Sequence, residues 1–145
     1  MLTFEPAKPE DLEPIYTWLK GHIEEYEDLQ SIDYPKVMAW VRRNIESKFS
    51  DFHRVYWNGS LAGYYCLTPN EEKMELDSLY IFPEFQGRGI GTAILQKCLG
   101  ESPCSVFLYV FKANTRAYEL YQRMGFQVTK ELKTRYIMEY KKQGC

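Results

Sequence analysis

Apolar positions in the first third of the chain recur with a helical period. Leu12, Ile15, Leu19 and Ile23 fall at i, i+3, i+7 and i+11, which predicts a helix after Pro9. Pro14 lies near its first turn, where a missing N–H is tolerated. Ahead of it, Leu2 to Glu5 predicts a short strand. A break around Gln30 to Asp33 leads to a second helix, whose inner face is expected to carry Val37, Trp40, Val41, Asn44 and Ile45. Asp33 suits its N-cap and Pro35 its first turn. The period then changes to two. Phe52 to Trp57 and Leu61 to Leu67 read as strands joined at Asn58-Gly59, a dipeptide fitted to the positive dihedrals of a type I′ turn. A further turn over Pro69 to Lys73 precedes a strand from Met74 to Phe82.

Helix and strand alternate in the second half. Ile90, Ala93, Ile94 and Cys98 share one helical face, and Gly100 with Pro103 ends that helix. Cys104 to Phe111 is a nearly continuous apolar run, the pattern of a strand buried on both faces, and is expected to lie parallel to Met74–Phe82. Asn114 opens a last helix with Ala117, Leu120, Tyr121 and Met124 on one face, and Gly125 stops it. Phe126 to Lys130 and Arg135 to Tyr140 predict a closing hairpin. No repeat, linker or low-complexity segment interrupts this order, so residues 1–145 are expected to form one α/β (α+β) domain with a single mixed sheet.

Composition narrows the class. With 45% hydrophobic and 26% charged residues, the chain has the balance of an ordinary globular domain. Its formal charge of 18 − 20 = −2 gives no general affinity for nucleic acid. No run of about 18 apolar residues predicts a membrane span. The four cysteines, Cys66, Cys98, Cys104 and Cys145, have neither metal-knuckle nor CxxC spacing, so no metal is expected. The acidic first residues do not read as a secretion signal, and a cytoplasmic protein with reduced thiols is expected. One local charge pattern stands out, the acidic patch Glu24, Glu25, Glu27 and Asp28.

The stretch LDSLYIFPEFQGRGIGT, from Leu76 to Thr92, carries the chemistry. A strand runs into a turn holding Gly87, Gly89 and Gly91, and a helix follows at once. Glycines permit the tight turn, and the backbone N–H groups of such a loop converge on an anion, helped by the helix dipole behind. Arg88 adds a formal positive charge. These features predict a phosphate cradle. A dinucleotide fingerprint fails on spacing, because the third glycine position falls on Thr92 or Ile94, and no lysine-serine or lysine-threonine pair completes a P-loop.

The residues Gln86-Gly87-Arg88-Gly89-Ile90-Gly91 match the Q/R-x-x-G-x-G/A loop of the Gcn5-related N-acetyltransferase (GNAT) family. That family's second signature is present as Asn114, Ala117, Tyr121, Gly125 and Phe126, and the order of elements also resembles it. The resemblance implies a mostly antiparallel sheet whose two parallel central strands splay apart, flanked by helices, with acetyl-CoA as co-substrate in the gap. It implies that the backbone of Leu79, Tyr80 and Ile81 pairs with the pantetheine arm like an added strand. Gln86, Gly87, Arg88, Gly89, Ile90, Gly91 and Thr92 would hold the pyrophosphate. Asn114, Ala117 and Tyr118 would flank the thioester end.

Acetyl transfer to an amine needs a proton acceptor, a donor to the thioester oxygen and an acid for the leaving thiolate. Glu75 and Asp77 share one strand face. Glu75 lies where several histone-acetylating relatives carry their base, which makes it the first candidate and Asp77 the second; a water chain, or plain solvated carboxylates, stay open alternatives. Tyr121 occupies the family's general-acid position, and the amide of Leu79 would meet the carbonyl oxygen. Asn114 reads equally well as a helix N-cap. His22 and His53, far in sequence from both motifs, read as ordinary surface or packed histidines, and Tyr26, Tyr34, Tyr64 and Tyr65 as candidates for the acceptor side. The expected activity is acetylation of a primary amine on a small molecule or peptide. The acidic patch would favour a cationic acceptor. A non-catalytic acyl-CoA sensor and a protein N-terminal acetyltransferase remain the alternatives, and a homodimer is left open.

Overall fold

A computed structural model describes residues 1–143. Strand β1 (Leu2–Pro6) is followed by helices α1 (Leu12–Tyr26) and α2 (Tyr34–Ser47). Three strands come next, β2 (Phe52–Trp57), β3 (Ser60–Asn70) and β4 (Lys73–Ile81). The second half runs α3 (Ile90–Glu101), β5 (Val106–Phe111), α4 (Thr115–Arg123), β6 (Gln127–Glu131) and β7 (Arg135–Tyr140). The strands form one sheet in the order β1-β2-β3-β4-β5-β7-β6, antiparallel throughout except between β4 and β5. The turn chemistry is as expected: Asn58 (φ 49°) and Gly59 (φ 86°) close the β2–β3 hairpin. The β3–β4 turn is tighter than expected, with Pro69 and Asn70 still paired in the ladder and Glu71 taking the positive φ.

Each face of the sheet has its own core. On one, α3 lays Ile90, Ile94, Leu95 and Cys98 against Val55, Leu76, Val106, Leu108, Phe126 and Met138. On the other, Ile15 of α1 and Met38, Val41 and Ile45 of α2 pack on Phe52, Tyr64 and Cys66. Burying each such side chain contributes about 1.5–3 kcal/mol. The inner face of α2 differs from the expected one: Met38 belongs to it, while Trp40 is 58% exposed. Residues advance by about 100° around a helix, so the neighbour of Val41 in sequence is carried off the buried stripe. Strand β5 also departs from expectation. Val106, Leu108 and Val110 are buried, but Tyr109 is 43% exposed. The α1–α2 core is built on β2 and β3, so this face of β5 lies beyond it. Cys66 and Cys98 are free buried thiols, whereas Cys104 is disulfide-bonded, contrary to the expected reduced state; Cys145 lies outside the described residues. Among the described residues no helix is long and apolar enough to cross a membrane.

One charged residue is built into the α1 side. Asp11, 2% exposed, accepts from the Lys8 amide (2.7 Å), from Nε and Nη2 of Arg54 (2.7 and 2.9 Å) and from the Tyr64 hydroxyl (2.9 Å). Burial alone would raise its pKa. Arg54, the Lys8 amide and Tyr64 outweigh that and hold the carboxyl below its ordinary 3.8. A buried charge is tolerable only when paired in this way, and here it ties the start of α1 to β2 and β3.

The feature that positions the site is a bulge in β4. Cys66 faces Ser78 and Leu67 faces Leu76, so Asp77 is an extra residue without a partner in β3. A bulge shifts the alternation, and Leu76 and Leu79, three apart, both pack toward the α3 core. It lies two residues beyond Glu75, the last position at which β4 pairs with β5.

Candidate active site

Strands β4 and β5 pair at only two positions, Met74 with Val106 and Glu75 with Phe107. Beyond these, β4 stays on β3 up to Ile81, and β5 stays on β7 up to Phe111. The gap between them opens into a cleft of about 630 Å³. Its walls come from four places: Leu79–Ile81 of β4, the loop from Phe85 into α3, Asn114 with the inner face of α4, and the second half of α1. The strand edge lining it has backbone groups available to an extended ligand.

At one end stands the glycine loop. Gly87 (φ 78°) and Gly89 (φ 77°) are both left-handed, a conformation other residues adopt at a cost of about 1–2 kcal/mol. No described side chain caps α3, so its first N–H groups, beginning at Ile90, have no side-chain acceptor among the described residues. An uncapped helix start behind such a turn fits an anion. Gln86 links the two arms of the gap: its amide donates to the Ile81 carbonyl (3.0 Å), and its oxygen accepts from Arg116 of α4 (3.1 Å). The cations on the wall are Arg116 and Arg123, not Arg88. Arg88 lies over the Phe85 ring at 5.9 Å and does not line the cleft. Tyr118 is likewise off the wall, tilted against Tyr136 (5.4 Å). Gln86, Gly87, Gly89, Ile90, Gly91, Thr92, Asn114 and Ala117 all border the cleft.

Tyr121 reaches the cleft from α4, its ring 5.8 Å from Phe126. Burial pushes its phenol up to about 12, so the proton stays on the oxygen throughout the neutral range. Asn114 caps α4 by accepting from the Ala117 amide (3.3 Å) and also borders the cleft, so both readings of this residue have a place.

Glu75 and Asp77 do not line the cleft. Both are committed to Lys48 at the end of α2, whose Nζ lies 3.4 Å from Glu75 and 3.1 Å from Asp77. Asn70 donates to Glu75 (3.2 Å), while Asn44 (3.2 Å) and Ser78 (3.1 Å) donate to Asp77. Burial disfavours the Lys48 charge, but the two carboxylates overcome it and raise the ammonium above its ordinary 10.5. These contacts fasten the β4 bulge to α2.

The fourth wall holds residues that the motifs did not indicate: Trp18, His22, Glu25 and Tyr26. Trp18 stacks on Tyr80 of β4 (4.4 Å, 13° between planes), and His22 and Tyr26 lie against Phe111 at the end of β5 (5.6 and 6.1 Å). Helix α1 therefore bridges both arms of the gap. The available signal was a second helical stripe, Trp18, His22 and Tyr26 at i, i+4 and i+8, beside the Leu12–Ile23 core stripe. Of the acidic patch, Glu25 alone borders the cleft. Glu24 accepts from the Tyr34 hydroxyl (2.6 Å), Glu27 from the Asp28 amide (3.1 Å) and Asp28 from the Gln30 amide (3.2 Å). Tyr64 is spent on Asp11, and Tyr65 is buried beneath His53 (5.0 Å).

An open strand edge that ends beside an uncapped helix and a left-handed glycine turn defines a site for a long ligand with a phosphate at one end. Residues 12–126 match the acetyltransferase (GNAT) family, and the chain belongs to it. Over 91 residues it is 33% identical to a spermine/spermidine N(1)-acetyltransferase of Bacillus subtilis, covering 54% of this chain and 60% of the relative. Over 105 residues it is 37% identical to the peptidyl-lysine N-acetyltransferase YjaB of Salmonella typhimurium, covering 72% and 61%. The matched segments thus span about 60% of those relatives' lengths. The PaiA N-acetyltransferase of Thermoplasma acidophilum, solved in complex with coenzyme A, has the same fold, with a TM-score of 0.69 at 21% identity over 98% of this chain and 99% of that one.

Proposed function

We propose that the protein transfers the acetyl group of acetyl-CoA to a primary amine by direct attack. The observation that carries this reading is the two-residue contact between β4 and β5, which leaves an open strand edge leading to the uncapped start of α3. In this reading the edge from Leu79 to Ile81 receives the pantetheine amides as a further strand would. The N–H groups from Gly87 to Thr92 hold the pyrophosphate, with Arg116 nearby. The Leu79 amide donates to the thioester oxygen, and the Tyr121 hydroxyl gives its proton to the departing thiolate. A phenol held up to about 12 is fully protonated in the neutral range, as this role needs.

The acceptor we favour is an alkylammonium. Glu25 and Glu119 place carboxylates on the cleft wall, and the named substrates of two relatives, spermine/spermidine and peptidyl-lysine, are both of this class. We assign Glu75 and Asp77, with Lys48, to fixing the bulge rather than to taking the amine's proton. The test is thiol release from acetyl-CoA with spermidine, lysine and an alanyl peptide. Turnover on spermidine or lysine supports the proposal. Turnover on the peptide alone would make the protein an N-terminal acetyltransferase. Tight acetyl-CoA binding with no turnover on any amine would make it an acyl-CoA sensor.

A further inference from the structure

His22 stands where α1 crosses the gap. One turn before it Trp18 rests on β4, and one turn after it Tyr26 rests on the end of β5. The imidazole is framed by Trp18 (5.5 Å), Tyr26 (4.9 Å) and Phe111 (5.6 Å) and borders the cleft. No hydrogen bond joins either ring nitrogen to a described residue, in contrast to Asp77, whose two oxygens are engaged by Lys48, Asn44 and Ser78, and to Glu75, whose Oε1 is held by Lys48 and Asn70. Packing between three aromatic rings would be served as well by a phenyl ring. What the imidazole adds is a proton site on the wall where the two strands separate. We infer that His22 takes the proton of the acceptor ammonium, a role that rests on the acetyltransferase activity proposed above.

The surroundings suit a base. Burial pushes the His22 pKa below its ordinary 6.5, and Glu25 draws it part of the way back. The other titratable groups on this wall are Tyr26 of α1, Tyr80 of β4 and Arg116, Glu119, Tyr121 and Arg123 of α4, while Phe111 of β5 carries no charge. The ring is neutral at neutral pH and able to accept. In the reaction one ammonium proton passes to His22 and from there to solvent. The freed lone pair forms the C–N bond as the C–S bond breaks. The thiolate takes the Tyr121 proton, and the second proton shed by the nitrogen as the amide forms restores the phenol. The net release is one proton per acetyl group transferred.

The test is the pH profile of kcat/KM with acetyl-CoA and spermidine. The wild-type acid limb should fall as pH drops through a pKa below 6.5. His22→Gln should lose about 10²-fold in kcat and lose that limb, with acetyl-CoA affinity by calorimetry unchanged. Added imidazole should restore part of the rate to His22→Ala, and Glu75→Gln should keep the limb. Wild-type turnover and limb in His22→Gln, or loss of the limb in Glu75→Gln instead, would overturn the assignment while leaving the acetyltransferase reading intact. Should the His22 variants fail to fold, an NMR titration of His22 in the wild-type protein decides: a pKa equal to that of the kinetic limb supports the role, and a different one overturns it. A wild-type protein that binds acetyl-CoA but acetylates neither spermidine, lysine nor the alanyl peptide would remove the activity and this role together.

Discussion

The two edges of β4 differ sharply. Toward β3 the strand holds eight register pairs, from Asn70↔Lys73 to Gly63↔Ile81, and stays closed to its last residue. Toward β5 it holds two, and then the ladder stops. A sheet normally closes both edges of a central strand, because an unpaired buried N–H or C=O costs about as much as a lost hydrogen bond. The difference teaches that the closed edge makes the open one usable. Pairing with β3 fixes the backbone from Leu79 to Ile81, so the groups offered to the cleft are already aligned. The bulge at Asp77, fastened through Lys48 to α2, lies two residues past the last β4–β5 pair, and the β3 ladder continues beyond it to Ile81; bulges of this kind bend the strand that carries them.

The sharpest way to break this contrast is Gly63→Ala. A Cβ on Gly63 would fall well inside contact distance of the Tyr80 carbonyl oxygen, a backbone atom that cannot swing aside. The substitution should force β3 from β4 where β4 lines the cleft. We expect a loss of about 3 kcal/mol in urea unfolding, with weakened acetyl-CoA binding. A wild-type midpoint would show that the closed edge is softer than its register implies. The open edge is probed next by Tyr121→Phe. No described residue hydrogen-bonds the Tyr121 hydroxyl, so stability and cofactor affinity should hold while kcat drops about 10²-fold. Unchanged turnover would remove the acid role.

Gly89→Val acts at the far end of the same edge and should have a smaller effect. Open space surrounds a Cβ there, so the penalty comes from the left-handed φ of 77°, about 1–2 kcal/mol at a minimum. Calorimetry should show at least a tenfold weaker acetyl-CoA affinity. An affinity equal to wild type would detach the glycine turn from the phosphate.

This loop was legible in the sequence because everything that makes it, three glycines between a strand and a helix, is local. The hairpin at Asn58-Gly59 and the Asn114 cap were legible for the same reason. His22 was not. Its proposed role depends on Phe111, which joins it only when α1 crosses the gap between two strands that are themselves distant in the chain. The bulge at Asp77 was equally hidden, since strict alternation puts Glu75 and Asp77 on one face whether or not an extra residue is present. Lys48, which turns that pair from a candidate base into an ion cluster, comes from a different element altogether. The glycine turn and the proposed acid, Tyr121, stand in motifs, whereas the proposed proton acceptor depends on tertiary packing.

The smallest expected effect belongs to Gln86→Leu, and it asks what keeps the edge open. Gln86 ties the Ile81 carbonyl to Arg116 of α4, so it spans the mouth of the gap and could set its width. The bulge at Asp77, nine residues upstream of the glutamine, could also set that width alone. Gln86 is exposed, and a single exposed hydrogen bond is worth about 1 kcal/mol or less. If Gln86 sets the width, the leucine variant should bind acetyl-CoA about fivefold more weakly, with wild-type kcat at saturation, because Tyr121 and α1 are untouched. If affinity stays at the wild-type value, the gap is held by the bulge and its Lys48 anchor. A Lys48→Met variant should then show the larger loss, moving control of the open edge to the far side of the strand.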